Sequence, residues 1–84
     1  AELRAGADLL SRLEAVAVIV VGSSLFFAPD VTPEMITDKH LLFIVGAVAV
    51  CPKPLLGTVQ ANSIVGNMVM DEEAYEAFRK KYKV

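Results

Sequence analysis

The stretch AVAVIVVGSSLFFA, residues 15–28, decides how this sequence is interpreted. It carries no formal charge, and its polar side chains are those of Ser23 and Ser24. A second apolar run, residues 41–51, has no polar side chain apart from a thiol. Because a charge at the centre of a bilayer costs roughly 2.5–3.5 kcal/mol, apolar runs that are separated from charged segments are typical of a membrane protein.

The composition favours the same interpretation. Hydrophobic residues make up 55 % of the 84 residues, and a water-exposed domain of this size buries only about 60 % of its unfolded surface. The formal net charge of −2 argues against nucleic acid as a partner. The single cysteine, Cys51, cannot form an internal disulfide, and its apolar surroundings predict a small buried hydrophobic side chain.

We therefore predict an all-α membrane protein, built as a hairpin of two transmembrane helices. The first helix is predicted over residues 2–28, whose apolar part is long enough to span a hydrocarbon core, and Pro29 ends it. A turn over residues 29–32 leads to the second helix over residues 33–51. Thr32 is the predicted N-cap of that helix.

The remaining residues are predicted to lie outside the two spans. Residues 55–70 mix apolar side chains with amides and are predicted to form an interfacial segment or a third membrane segment. Residues 71–82 are predicted to form an amphipathic surface helix, because acidic residues open it and basic residues close it. Its aromatic residues share one face, which is expected to pack on a neighbouring protein or on lipid headgroups: Tyr75, Phe78 and Tyr82.

The distribution of basic residues predicts the orientation of the hairpin. Lysine and arginine are concentrated towards the termini, whereas the connection over residues 29–40 is mainly acidic. Both termini should therefore face the cytoplasm, stroma or matrix. The sequence begins Ala-Glu-Leu without an initiator methionine, which is expected if an import presequence has been removed or if preceding residues are missing from it.

The sequence offers no convincing pair of nucleophile and base, so we expect no enzyme activity and no catalytic residue. Its one histidine, His40, lies eleven residues before the thiol of Cys51, a rise of about 16 Å along one helix. The sequence contains neither a glycine-rich phosphate loop nor a cluster of histidine and cysteine, and we expect no metal site.

Four polar residues are candidates for binding a cofactor. The imidazole of His40, at the interfacial edge of the second predicted span, can ligate a metal, including the magnesium of a chlorophyll. Side-chain amides in an apolar stretch can hold a pigment directly or through water, and the stretch contains Gln60, Asn62 and Asn67. The alternative is that all four bond to headgroups, water, a neighbouring helix or backbone carbonyls.

One family resemblance rests on the layout of residues 15–50. An apolar helix, a Pro29-Asp30 turn and the sequence KHLLF (residues 39–43) opening a second apolar helix with Gly46 resemble the small two-helix peripheral subunits of photosystem I-type cores in thylakoid membranes. The resemblance implies a subunit of a red-lineage plastid that lies between core and antenna proteins. It also implies contacts with chlorophyll and carotenoid.

We therefore expect a non-catalytic accessory subunit of a photosynthetic membrane complex in the chloroplast thylakoid. Its expected partners are other subunits of the complex, antenna proteins and the lipid bilayer. The first alternative is an accessory subunit of a respiratory complex or ATP synthase in the mitochondrial inner membrane. The second is a small transport or channel component, although the predicted spans carry no ionisable residue at mid-membrane that could form a relay.

Overall fold

The computed structural model describes residues 2–82, which form an α/β fold with two parallel sheets. Sheet A contains, in spatial order, β1 (Glu2–Ala5), β3 (Ser24–Phe27), β5 (Val48–Cys51) and β7 (Met68–Asp71). Sheet B contains β2 (Val18–Val21), β4 (Leu42–Val45) and β6 (Ser63–Val65). Successive strands along the chain thus alternate between the two sheets.

Helices connect sheet A to sheet B, and two-residue corners connect sheet B back to sheet A. The connecting helices are α1 (Ala7–Ser11), α2 (Pro33–Thr37) and α3 (Leu56–Ala61), the last preceded by a 3-10 turn (Lys53–Leu55). A longer helix, α4 (Glu72–Tyr82), follows β7. The chain therefore winds as a short solenoid, in which each coil packs on the coil before it.

The prediction of an all-α transmembrane hairpin is wrong. Residues 15–28 contain β2 and β3, and residues 41–51 contain β4 and β5. Valine and isoleucine make up nine of these 25 residues, and their branched side chains favour strands. A strand that is apolar on both faces has the same continuous apolar sequence as a buried helix segment, and Gly22 or Gly46 divides each run into two strands.

The membrane location inferred from that hairpin is contradicted as well. Within residues 2–82, no helix reaches the length and apolar character needed to cross a bilayer. Residues 55–70, predicted to be an interfacial or third membrane segment, contain α3, β6 and most of β7. The thylakoid and mitochondrial inner membrane locations both depended on two transmembrane helices, so neither is retained.

Three glycines stack at the corners where the chain leaves sheet B. Gly22, Gly46 and Gly66 follow β2, β4 and β6 and are 24 and 20 residues apart. A Cβ atom on Gly46 would overlap the carbonyl oxygen of Gly22 and lie 3.0 Å from its carbonyl carbon. A Cβ on Gly66 would overlap the carbonyl oxygen of Gly46 in the same way. The second and third corners therefore require glycine because the backbone of the preceding coil lies against them.

The core lies between the two sheets. Phe27 of sheet A packs edge-to-face on Phe43 of sheet B, with ring centroids 5.1 Å apart and an interplanar angle of 86°. Cys51 faces this core and is buried, as the sequence predicts. Burial, together with the neighbouring carboxylate of Asp71, raises the pKa of the Cys51 thiol to about 11.

Lys39 ties the second coil to the first. Its ammonium group donates hydrogen bonds to three backbone carbonyls at the end of α1, those of Leu10 (3.1 Å), Ser11 (2.8 Å) and Leu13 (2.7 Å). Leu10 and Ser11 lie in the last turn of α1, and a cation at a helix C-terminus complements the helix dipole. Lys39 thus stabilises the contact between consecutive coils.

The outer face of sheet A is covered by α4. The strands place four buried apolar side chains on that face: Phe26, Val48, Val50 and Met70. The ring of Tyr75 on α4 meets Phe26 edge-on, with centroids 5.2 Å apart, and Phe78 packs on the same cluster. A helix is therefore present where the sequence predicts one over residues 71–82. Tyr75 and Phe78 pack on a sheet of their own chain, whereas the sequence predicts packing on a neighbouring protein or lipid headgroups. Tyr82 is exposed and contacts Phe78.

Candidate functional site

The outer face of sheet B is apolar and exposed. Because the three strands pair in parallel register, Val20, Ile44 and Ile64 lie side by side in one row across the sheet. These residues are 70 %, 36 % and 62 % exposed. Val18, which is 56 % exposed, and Leu42 form a second row. We call the surface made by these five residues the B face.

The alternation of side chains along each strand explains how the B face forms. Consecutive residues of a strand point to opposite sides of a sheet. Val21 and Val45 follow Val20 and Ile44, and both are buried in the core between the sheets. Both sides of sheet B are thus apolar, although one side contacts the core and the other contacts solvent. A contiguous exposed patch of this kind is a common mark of an interaction site, whereas scattered exposed apolar residues are not.

The dimensions of the B face limit what it can bind. Three strands about 4.8 Å apart, two with four residues and one with three at about 3.3 Å each, give a surface of about 14 Å by 10–13 Å. An α-helix with its side chains is about 10–12 Å across. The B face is therefore large enough for two or three turns of one helix.

The structure separates the four residues predicted to bind a cofactor. His40 precedes β4 and Asn62 precedes β6, so both lie at the same end of sheet B as the exposed Gln60 at the end of α3. Asn67 lies at the opposite end of the sheet, in the corner after Gly66. The four residues therefore do not form one ligand set, and chlorophyll or carotenoid binding through any of them stays a prediction.

Two of the four predicted residues, Asn62 and His40, take part in hydrogen bonds within local turns. The side-chain amide of Asn62 donates to the carbonyl of Thr58, 2.8 Å away, at the end of α3. His40 is exposed in a left-handed backbone conformation, with φ of 52°, and its backbone N–H donates to the carbonyl of Thr37. Both residues thus shape the turn that leads into a strand of sheet B.

Neither Cys51 nor the potential metal ligands among residues 2–82 form a second candidate site. The Cys51 thiol is buried and stays protonated at neutral pH because its pKa is about 11, which makes it a poor nucleophile. Across residues 2–82, no group of three or more His, Cys, Asp or Glu side chains is placed to hold a metal ion. A groove of about 360 Å³ between α1 and α2 contains Lys39, whose three hydrogen bonds go to the backbone.

Sequence reasoning missed the B face, although the sequence contains a signal for it. The tripeptides Val-Val-Gly at 20–22 and Ile-Val-Gly at 44–46 and 64–66 recur at nearly constant spacing. A recurrence of 20–29 residues is typical of solenoid proteins. In each tripeptide the first residue belongs to the exposed row of the B face, the second points to the core, and the third forms the corner.

Comparison of this chain with protein-family models, with curated proteins and with solved structures finds no match in any of the three. The proposed function therefore rests on the geometry of the B face and of the strands around it.

Proposed function

We propose that this chain is a non-catalytic interaction module that binds an amphipathic helix of a partner protein on the B face. The observation that carries the proposal is the in-register row of exposed Val20, Ile44 and Ile64. A role as a non-catalytic subunit of a larger assembly, which the sequence predicts, is retained in this form. The membrane setting of that prediction is not retained.

The other sheet of the molecule supports a helix as the occupant. Sheet A is also apolar on both sides, and its outer face is covered by α4 through Tyr75 and Phe78. An apolar face of a helix on an apolar face of a sheet is thus a contact that this fold already makes once. A partner helix with aromatic or aliphatic residues along one side would make the same contact with sheet B.

The size of the B face argues against a second copy of the chain as the occupant. Its area, on the order of 200 Å² from the strand spacing, is far below the ~800 Å² per partner of a standard stable interface. Two B faces packed against each other, with no contact outside them, would therefore bury too little surface to hold a dimer. A partner helix can add contacts with residues around the B face and can be joined to further interface elsewhere in its own protein.

Site-specific photo-crosslinking in the cells that produce the chain tests this proposal. A photoreactive phenylalanine analogue replaces Val20 in one variant and Gln60, exposed on α3, in the matched control. We expect a protein crosslink from position 20 and not from position 60, mapped by mass spectrometry to a helix of the partner. Crosslinks to lipid or to a second copy only, or equal crosslinking from both positions, would contradict the proposal.

The affinity of the identified partner then gives a quantitative check. Ile44→Lys places a charge in the centre of the B face, where it would be buried by a partner helix. We expect it to weaken binding at least about tenfold, whereas Gln60→Lys should leave the dissociation constant unchanged. Equal affinity of the two variants, measured by titration calorimetry, would show that the partner binds elsewhere.

A further inference from the structure

The outermost strands of the two sheets differ in their protection against pairing with another chain. Proteins commonly protect edge strands by charged residues, by shortness or by a covering element. β1 carries Glu2 and Arg4, β6 has three residues, and β7 ends in Asp71 and leads directly into α4. β2 has none of these features, since its sequence is Val-Ile-Val-Val and its one strand neighbour among residues 2–82 is β4.

Gly22 provides a second, independent observation at the end of β2. Gly46 and Gly66 must be glycines because a Cβ would overlap the preceding coil. Gly22 occupies the equivalent corner, but no described atom lies within 4 Å of the position of its Cβ, and its φ is not positive. Neither packing nor backbone conformation within residues 2–82 therefore requires glycine there. Glycine would be required at position 22 if another backbone lay beside it, as Gly22 itself lies beside Gly46.

Leu3 shows that the core is also incomplete on this side. It pairs in register with Leu25, which is fully buried in the core, so it lies on the inner side of sheet A. Leu3 is nevertheless 39 % exposed. Sheet A has four strands and sheet B has three, so one more strand beside β2 would make the sheets equal and would face Leu3.

We propose that the open edge of β2 binds an extended apolar segment of a partner chain, which adds to sheet B as a fourth strand parallel to β2. Backbone hydrogen bonds to β2 would supply affinity, as in other cases of strand addition. Side chains of the segment that point inwards would cover Leu3, and those that point outwards would extend the row of Val20, so the segment is apolar on both sides. A second copy of the chain fits less well. If its sheet B paired with β2, its sheet A would also have to pair with β1, which carries the charged residues Glu2 and Arg4.

A peptide that copies residues 17–24 (AVIVVGSS), with two lysines added at each end for solubility, is a suitable probe. This sequence contains β2. The peptide would pair with β2 in parallel, as β2 itself pairs with β4. The control peptide carries N-methyl groups on its valine amides, which removes backbone donors. Amide NMR spectra of the isotopically labelled chain, recorded during titration with each peptide, report the place of binding and the affinity.

We expect the peptide to shift the amide signals of β2 and Gly22, and the N-methylated peptide to leave them unchanged. Gly22→Ala should keep the fold, since its Cβ meets open space, but should weaken peptide binding at least about tenfold. The matched control is Gly57→Ala, whose Cβ also meets open space and which should bind like the unaltered chain. Ile44→Lys, which changes the B face and not the edge, should also bind normally.

Three results would overturn the proposal. The first is absence of peptide binding up to about 1 mM. The second is equal binding by Gly22→Ala and Gly57→Ala, or signal shifts at β6 instead of β2. The third is association of the chain with itself, measured by sedimentation without peptide and abolished by Gly22→Ala, which would assign the edge to a second copy.

Discussion

The outer faces of sheets A and B are built by the same coils but meet different surroundings. On sheet A, Val50 is 1 % exposed beneath α4, whereas on sheet B the central Ile44 is 36 % exposed. The difference does not arise from strand composition, because both sheets are rich in branched apolar residues. It arises because residues 2–82 supply a covering helix to sheet A and none to sheet B. An apolar strand sequence therefore indicates that a face will be covered, but not whether its own chain covers it.

The largest expected effect concerns the corners that join the two faces. Gly46→Ala would place a methyl group against the backbone of Gly22. Movement of the Gly22 backbone would shift β2 and β3, and movement of the Gly46 backbone would shift β4 and β5. We expect a loss of on the order of 4 kcal/mol or more in the free energy of unfolding, measured by urea denaturation followed by circular dichroism. Gly22→Ala is the matched control and should be neutral or stabilising by up to about 1 kcal/mol. Similar stabilities of the two variants would mean that the glycine stack is not close-packed.

The next effect compares the two faces directly through equivalent substitutions. Val50→Lys puts an ammonium group under α4, where it must be buried or must displace the helix, and we expect a loss of about 3 kcal/mol or more. Ile44→Lys puts the same group on the B face, where it can extend into water, and should cost less than about 1 kcal/mol. Chemical denaturation of both variants provides the measurement. Equal losses would mean that the two faces are equally covered.

The pH dependence of stability tests how well Cys51 is buried on the inner side of sheet A. Its folded-state pKa of about 11 lies above its ordinary value of 9.0, so the folded chain holds the thiol proton more tightly than the unfolded chain. The resulting stabilisation is complete below pH 9 and is lost as the pH rises to about 11. Two pH units correspond to roughly 2–3 kcal/mol.

The measurement for Cys51 is the difference in unfolding free energy between the unaltered chain and Cys51→Ala, determined at intervals from pH 7 to about 11. Subtracting the variant removes the contribution of tyrosines and lysines that titrate in the same range. A difference that does not change with pH would show that the thiol is accessible to solvent, and that the inner side of sheet A is less closed than its outer side.

The smallest effect concerns the turn before sheet B. Val16 has a φ of 61°, which is unfavourable for a branched side chain, and the residue is exposed. Val16→Asn keeps the turn and relieves this strain, because asparagine tolerates the left-handed conformation. We expect a gain of about 0.5–1 kcal/mol in thermal or urea denaturation. Thr37→Asn, at an exposed helical position, is the control and should give no gain.

The sequence predicts α4 but not the strands, for a physical reason. Residues 71–82 combine acidic residues at the start, basic residues at the end and aromatic residues on one side, and these features identify a helix locally. The run Val18–Val21 has no such local signature, because its exposed face carries Val18 and Val20 and so lacks the polar alternation that usually marks a half-exposed strand. The branched residues of this run and the following Gly22 favour strands. The run lies within the longer apolar stretch of residues 15–28, however, and a long apolar stretch favours a transmembrane helix.

The candidate site is less predictable than the fold. Val20, Ile44 and Ile64 are far apart in the sequence and become neighbours through the register of sheet B. The recurrence of Val-Gly pairs could have placed them in equivalent positions of successive coils. It could not have shown that α4 packs on sheet A, since that choice depends on the tertiary contact between Tyr75 and Phe26.

The position of α4 also bears on how the molecule loses its structure. In a linear array whose coils contact only their neighbours, stability is a sum of local terms, and coils can fray from either end. Here α4 follows β7 at one end of sheet A and reaches Phe26 on β3, which lies beyond β5. Opening of the last coil therefore breaks a contact with a strand near the first. This non-local link couples opening of the last coil to the packing of β3, so we expect it to make unfolding more cooperative than in a simple linear array.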